Sequence, residues 1–514
     1  MDSSRIIKYF DKPRKWSYLS AAVTLFLTFK VYKIFRVPSN LRHIPAVPYW
    51  CMIKAFLSQK SPQERFEQLT LPIIQRSKGI YLNKVPFEWT VYVADPIAAK
   101  TILNTRDIPK DQSVFHKLAD STPVVRLFGH ENLPLSNGIT WKKQRKLINP
   151  AFSRAVPTDA LGNVMLRVYK NIDNYDGNRV EVLQLMRLMS LDGAGLAFFG
   201  LDFQALDGKE AEWTALQREL LNALIDPVQY VFPGMSFLAS KIFPHLKSSN
   251  DAIDVLNQLI LKKAHERRSM LQTQQPEQSG STPNSEIDAL TLMVEAEMKD
   301  EEACPMEELR ANTAILFVAG YEVICHAIAF SIYHLAAHKG IQDKARREVL
   351  GILGDEPKDV IPTFAETQNM EYIHMIAKET LRISPPADTI WPRVTQEDTY
   401  ICDTFIPKGT SISIDMHALQ NRPDIWDQPA EFRPERFAKN GEHDQHEGLT
   451  WIPFSSGDRK CIATKYVMTQ LIVCLAMLLR KYEWSVPEDS PHPASDTLFS
   501  TFPASFAINF SARY

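Results

Sequence analysis

One stretch near the C-terminal end constrains this chain more than any other: Trp451-Ile-Pro-Phe454-Ser-Ser-Gly457-Asp-Arg459-Lys-Cys461-Ile-Ala463. A phenylalanine, a glycine, an arginine and a cysteine stand at fixed offsets and run directly into Lys465–Leu479, an apolar segment with the composition of a buried helix. Glycine at 457 lets the backbone lie flat against a neighbour that a side chain would hold away. Arg459 is a fixed cation beside Cys461, and the following helix presents the positive end of its dipole. Both lower a thiol's pKa, so Cys461 is expected as a thiolate able to ligate a metal. A lone cysteine is more commonly a small buried apolar residue. Other stretches must decide.

The bulk composition narrows the classes. With 45% hydrophobic and 23% charged residues, the 514-residue chain has the make-up of globular material with a large core. A net charge of −2 leaves no basic excess to neutralise phosphates, which argues against a nucleic-acid partner. The six cysteines, at 51, 304, 325, 402, 461 and 474, lack the close spacing of zinc ribbons, iron–sulfur clusters or dense disulfide frameworks. Trp16 to Phe29 is apolar and nearly uncharged, and Val31, Tyr32, Ile34 and Phe35 extend it to a membrane-spanning length if Lys30 and Lys33 snorkel. Pro38, Pro45 and Pro48 then stiffen the exit. Basic residues flank the segment on both sides, so charge alone does not favour an N-terminus across the membrane from the catalytic mass.

Further along, Lys78–Leu82 and Thr90–Asp95 read as strands and Pro96 opens a helix. Trp141 and Arg145 are four apart, so on a helix they share a face from which an indole N–H and a guanidinium reach one carboxylate. Lys142, Lys143 and Lys146 surround the pair, so the helix reads either as an exposed basic helix or, with the pair turned to a carboxylate, as one whose lysines suit a docking face for an acidic redox partner. Residues 160–270 read as helices broken by Pro227, Pro233 and Pro244, and 272–285 as a polar loop. Pro305–His338 is the longest apolar helical pattern. It carries Ala319, Gly320 and Glu322, a glycine and a carboxylate that are each unfavourable inside a buried helix; together they suggest a helix passing close to a flat ligand with a proton-active group there. Glu379 and Arg382 form an i, i+3 pair, Trp391-Pro-Arg393 follows on a strand, and Phe432-Arg-Pro434-Glu-Arg436-Phe437 comes after. Tyr400 to Ile414 reads as strand, turn, strand, and Leu498–Phe506 as pocket-lining. His334 and His338 have zinc-pair spacing but no third ligand, and are read as cations near a helix end. Glu442–Glu447 is read as a solvated loop, and the acceptor pattern Asn509-Phe-Ser511 as chance.

These stretches, in this order, resemble the cytochrome P450 family of haem-thiolate monooxygenases. The haem loop Phe-x-x-Gly-x-Arg-x-Cys-x-Gly/Ala is complete in Phe454, Gly457, Arg459, Cys461 and Ala463. Trp141 and Arg145 are similar to the family's propionate-binding pair, and Arg393 stands at its second propionate partner. Glu379, Arg382 and Arg436 match its buried charged triad. Ala319, Gly320 and Glu322 match the oxygen-binding helix, except that Val323 stands where the family has threonine. The missing hydroxyl puts efficient oxygen activation in doubt.

The resemblance implies a mainly α fold with a small β-rich lobe (α+β). Residues 1–36 would be a membrane anchor, 37–50 a proline-rich hinge and 51–514 a single catalytic domain. It implies haem b with Cys461 as axial iron ligand. Electrons would come from NADPH through NADPH–cytochrome P450 reductase, with cytochrome b5 as a further redox partner. The site would be the endoplasmic reticulum membrane, with the catalytic domain facing the cytosol. One oxygen atom from O2 would enter a hydrophobic small molecule of secondary metabolism. Two alternatives stand beside this: a haem-thiolate isomerase, dehydratase or peroxide-dependent enzyme, motivated by Val323, and a non-catalytic haem-binding protein.

Overall fold

The computed structural model describes residues 24–25, 28–29, 32, 35–58, 60–85, 88–116, 118, 120, 122–153, 157–225, 244–273, 288–299, 305–490, 493 and 505–514. Most of the expected anchor, the segment around Pro227 and Pro233, the 274–285 loop and Leu498–Ala504 lie outside these residues. Of the anchor, Leu25, Phe29, Tyr32 and Phe35 are helical, one face apart, and exposed. Part of the 37–50 stretch is built into the β lobe. Val47 N–H donates to the Leu82 carbonyl and Leu82 N–H to that of Pro45, both at 2.8 Å.

The β lobe is a four-stranded sheet ordered β1 (Ile80–Val85), β2 (Glu88–Val93), β7 (Ser411–Ile414) and β4 (Arg393–Val394). β1 and β2 are an antiparallel hairpin, while β7 lies parallel to β2. A parallel neighbour needs a long crossover, and here most of the helical body intervenes. The strand–turn–strand expected over 400–414 is therefore split. β5 (Thr399–Ile401) and β6 (Thr404–Ile406) pair alone, and Ser411–Ile414 joins the main sheet, its four residues buried on both faces. Asp95 caps the following helix, Pro96–Asn104, accepting from Ile97 and Ala98 N–H. With Pro96 in its first turn, that helix starts where the sequence indicates.

The helical body packs Gly138–Ser153, Thr158–Asp173, Val182–Ala194, Pro244–Thr273, Ala289–Lys299, Met306–Ala337, Glu371–Ile383 and Thr464–Lys481 around one apolar core. A third sheet, β3 (Arg179–Glu181), β9 (Ala507–Ala512) and β8 (Tyr482–Ser485), closes one side. Asn509 sits in its central strand, paired with Arg179 and Ser485, which supports the reading of its acceptor pattern as chance. Among the described residues, two helices, Val182–Phe199 and Met306–Ala337, are long and apolar enough to cross a membrane, but their spans are 78% and 72% buried, so they belong to the core.

Candidate active site

The Cys461 loop folds on itself. Cys461 N–H donates to the Phe454 carbonyl at 2.8 Å, and Thr464 Oγ1 to the Cys461 carbonyl at 2.9 Å. Ser455 and Gly457 both take positive φ, +60° and +68°. Gly457 is required for a different reason from the one expected. A Cβ there would meet the Leu103 carbonyl and Asn104 Oδ1, each at 2.7 Å. The glycine lets the loop press on the end of the Pro96–Asn104 helix. Phe454 is buried beneath it.

Cys461 is exposed as a residue while its sulfur is enclosed by protein, and Ile462, Ala463 and Thr464 are partly exposed. Its thiol is not lowered as expected. Burial of the sulfur's surroundings pushes it up, outweighing the Ala463 N–H, Arg145 and Lys460. Arg459 is turned elsewhere. Its guanidinium donates to the Ser136 carbonyl at 2.7 Å and to Asn137 Oδ1 at 3.1 Å, and lies 4.1 Å from the Trp141 ring centroid. The thiolate form therefore depends on a bound metal, which deprotonates a coordinating thiol outright.

Around this loop the structure collects cations from four elements. Arg145, on the same helix as Trp141, donates to the Lys460 carbonyl at 3.0 Å. Arg393, buried on β4, donates to the carbonyls of Ile108 at 2.8 Å and Thr105 at 3.1 Å, while its Nε has no partner. Arg459 is brought down to about 10 by burial and by Arg393 and Arg145. The fourth, Lys110, carries no sequence signal. Burial, then Arg393 and Arg459, bring its ammonium down to about 7, and it donates to the Trp391 carbonyl at 3.0 Å. Asp458 is the one carboxylate among the charges acting on this group, and it pairs with Arg106 at 2.7 Å. A buried set of like charges with an unsatisfied guanidinium N–H fits an anionic group with at least two carboxylates. Lys142, Lys143 and Lys146 stay exposed on the outer face of the helix.

On the Met306–Ala337 helix the motif splits between two faces. Ala319 is exposed and Val323 half-buried, four apart and so on one side, with Ile315 and Leu316 a turn before. Gly320 and Glu322, two apart, are buried on either flank of that side and meet different neighbours, against expectation. A Cβ at 320 would lie 2.3 Å from the Phe198 ring, so this glycine admits a phenylalanine of the neighbouring helix. Phe198 in turn stacks near Tyr466, with centroids 5.5 Å apart, five residues past Cys461. Glu322 is buried and held by Arg187 at 3.1 Å, Gln217 Nε2 at 2.7 Å and His326 Nε2 at 3.3 Å. Burial raises its carboxyl, but His326 and Arg187 outweigh burial and bring it to about 2. It is a locked carboxylate, not a free proton carrier. A single arginine in the apolar run Val182–Ala194 was the signal for this pair, since buried charges come with partners.

The charged triad is assembled as expected. Arg382 reaches Glu379 at 2.7 and 2.9 Å and Arg436 reaches it at 3.2 Å, all three side chains fully buried. Arg382 also donates to the Gln420 and Pro429 carbonyls at 2.8 and 2.7 Å. The presumed solvated loop supplies a fourth member. Glu442 accepts from Arg436, and from Arg433 at 3.1 Å. The His334 ring lies flat on Phe432, centroids 4.5 Å apart.

The Cytochrome P450 family model matches residues 44–510. The chain belongs to the cytochrome P450 family. Cytochrome P450 3A5 of Homo sapiens is 26% identical over 433 residues, spanning 81% of this chain and 80% of that protein. Cytochrome P450 4A14 of Rattus norvegicus is 27% identical over 430 residues, spanning 82% and 81%. The haem domain of cytochrome P450DA shares the fold, with a TM-score of 0.74 at 21% identity over 92% of this chain and 97% of that one. Cytochromes P450 are haem monooxygenases, and the exposed cysteine, the closed loop and the cation set fit that cofactor.

Proposed function

We propose that this cytochrome P450 inserts one oxygen atom from O2 into a hydrophobic small molecule, with electrons from NADPH delivered by a flavoprotein reductase. The observation that carries it is the clustering of Arg145, Arg393 and Arg459, three buried or half-buried guanidiniums drawn from separate elements, of which Arg145 acts on Cys461 as well. Cys461 would be the axial iron ligand. Trp141 and the three arginines would hold the propionates, and the Phe454–Gly457 turn would fix the loop. Haem held by a thiolate supplies the reductive cleavage of dioxygen. Ala319 and Val323 bound the reacting space with apolar surface, so the substrate class is hydrophobic. Residues 51–514 would form the catalytic domain, with Pro45 and Val47 already paired to Leu82 in its β lobe, so the hinge is confined to the start of the 37–50 stretch. Residues 1–36 would anchor it to the endoplasmic reticulum membrane with the domain in the cytosol. The exposed Leu25, Phe29 and Tyr32, 71%, 54% and 52% accessible, support the anchor.

Val323 and the locked Glu322 favour a second reading, a haem-thiolate isomerase, dehydratase or peroxide-dependent enzyme. Neither side chain as placed offers a proton toward the Ala319 side. Turnover under isotopically labelled dioxygen separates the two. A product carrying one labelled oxygen supports the monooxygenase. An unlabelled product equal in mass to the substrate, or lighter by water, overturns it.

A further inference from the structure

One cavity among the described residues lies away from the cysteine loop. It lies between the helix Tyr49–Leu57, the turn of helix Pro62–Arg65 with Phe66 and Thr70 behind it, and the outer face of β1 and β2, and measures about 220 Å³. Its lining sorts into three chemistries. Met52, Ile53 and Leu57, spaced along one face of the first helix, give an apolar side that ends at the 75% exposed Leu57. Arg65 and Lys84 give a cationic side. Tyr49, Phe66, Tyr81 and Tyr92 supply aromatic surface beside Asp388, whose charge acts on the Tyr92 hydroxyl. Asp415 is engaged, accepting from the Ala418 N–H and from Tyr81. His417 packs edge-on to Phe66 at 5.2 Å.

The cavity adjoins the end of the exposed apolar helix. The Phe35 ring is 5.6 Å from that of Tyr49, and Trp89 Nε1 donates to the Arg36 carbonyl at 3.1 Å. Lys84 Nζ stands 5.3 Å from the Tyr49 ring and 5.8 Å from that of Trp89. Trp50, 62% exposed, projects from the same helix as the apolar lining. An anion subsite, a carboxylate among aromatic faces and an apolar strip leading outward match three parts of one molecule. A phosphate pairs with Arg and Lys. A quaternary ammonium is taken by aromatic faces and a carboxylate. An acyl chain follows the Met52–Leu57 strip.

We propose that this cavity binds the headgroup of one zwitterionic phospholipid, of the phosphocholine type, drawn from the bilayer in which the anchor sits. The phosphate lies at Arg65 and Lys84, the ammonium at Asp388 among Tyr49, Tyr81 and Tyr92, and the acyl chains run along Met52, Ile53 and Leu57. The site fastens the β lobe to the membrane surface at a point apart from the anchor. It rests on the membrane reading above.

The test uses the full-length holoprotein, purified in detergent and checked by its reduced carbon-monoxide spectrum. Native mass spectrometry counts retained short-chain phosphatidylcholine, phosphatidylglycerol and tail-free phosphocholine. One phosphatidylcholine per chain is expected, held about tenfold more tightly than phosphatidylglycerol or phosphocholine. Lys84→Met should weaken it about tenfold, as a lost charged contact does. Asp388→Asn should instead erase the preference for choline over glycerol. Phosphatidylcholine retention untouched by both substitutions, or equal retention of the two lipids by the unaltered chain, overturns the proposal. Flotation of the same preparations with phosphatidylcholine vesicles reports the anchor separately. Chains that float yet show no headgroup preference overturn the cavity alone, and chains that do not float overturn the membrane reading.

Discussion

Valine at 323 keeps the shape of threonine without its hydroxyl, on the same side of the helix as the exposed Ala319. Val323→Thr should therefore place a hydroxyl donor on that side. The expected outcome is tighter coupling, with about a severalfold larger share of consumed NADPH appearing as product, the scale of a general-acid contact partly supplied by water. An unchanged ratio would show that ordered water or substrate already serves. Cys461→Ser should abolish turnover and the thiolate signature in the reduced carbon-monoxide spectrum, since the sulfur is the ligand that favours O–O cleavage. Residue identities at this scale were legible in the sequence, but their directions were not. Gly457 and Gly320 stand where the motifs put them, yet one presses on the Leu103 carbonyl and the other on Phe198. Spacing fixes which residues share a helix face; only the neighbours decide which face meets the site.

At the scale of elements, the helices Val182–Ala194 and Met306–Ala337 are tied by the Arg187–Glu322 pair inside an apolar seam. Removing one member strands the other charge, so Arg187→Leu should cost about 3–5 kcal/mol in unfolding free energy. Glu322→Gln alone should cost less than Arg187→Leu, because the amide still accepts from its neighbours. Chemical denaturation of both variants checks the order; equal losses would mean that the pair contributes through packing. Glu442 makes the corresponding link for the Glu379–Arg436 assembly. Burial pushes its carboxyl up, but the Asp427 N–H and Arg436 pull it below the usual carboxylate range. A depressed carboxylate adds stability above its ordinary pKa, and that stability is lost as pH falls through the folded value. Glu442→Gln should therefore lose about 1–3 kcal/mol at neutral pH, with the difference from the unaltered chain shrinking toward pH 3. Elements with strong periodicity, such as Met306–Ala337 and Thr464–Lys481, were legible to within a residue or two. The split of Ser411–Ile414 from its apparent hairpin was not, because its partner β2 is over 300 residues earlier and no local pattern encodes a pairing across the helical body.

Across the whole molecule, the cation cluster lies where four separate parts of the chain meet. Lys110 follows the Pro96–Asn104 helix, Arg145 belongs to the helical body, Arg393 to the β sheet and Arg459 to the cysteine loop. With Asp458 alone to offset them, their mutual repulsion opposes the docking of the β lobe on the helices; a dianionic cofactor reverses the sign. Lys110 makes this measurable. Its folded pKa is about 7, far below the ordinary lysine value, so from pH 7 upward the unfolded chain binds a proton that folded Lys110 does not. Stability therefore rises with pH across that window, and below pH 7 the charging penalty is fully present. In haem-free protein, Lys110→Met should raise Tm by several degrees at pH 7, the rise expected when about 1–2 kcal/mol of penalty is removed, and the gain should narrow as pH climbs toward 10. In haem-loaded protein the propionates should restore the ammonium, so the same substitution should lower Tm at pH 7. Differential scanning calorimetry of the two proteins in both states reads the difference directly. A Lys110→Met effect of the same sign with and without haem would mean that the lysine is buried for packing and that the cluster gathers no anion at that corner.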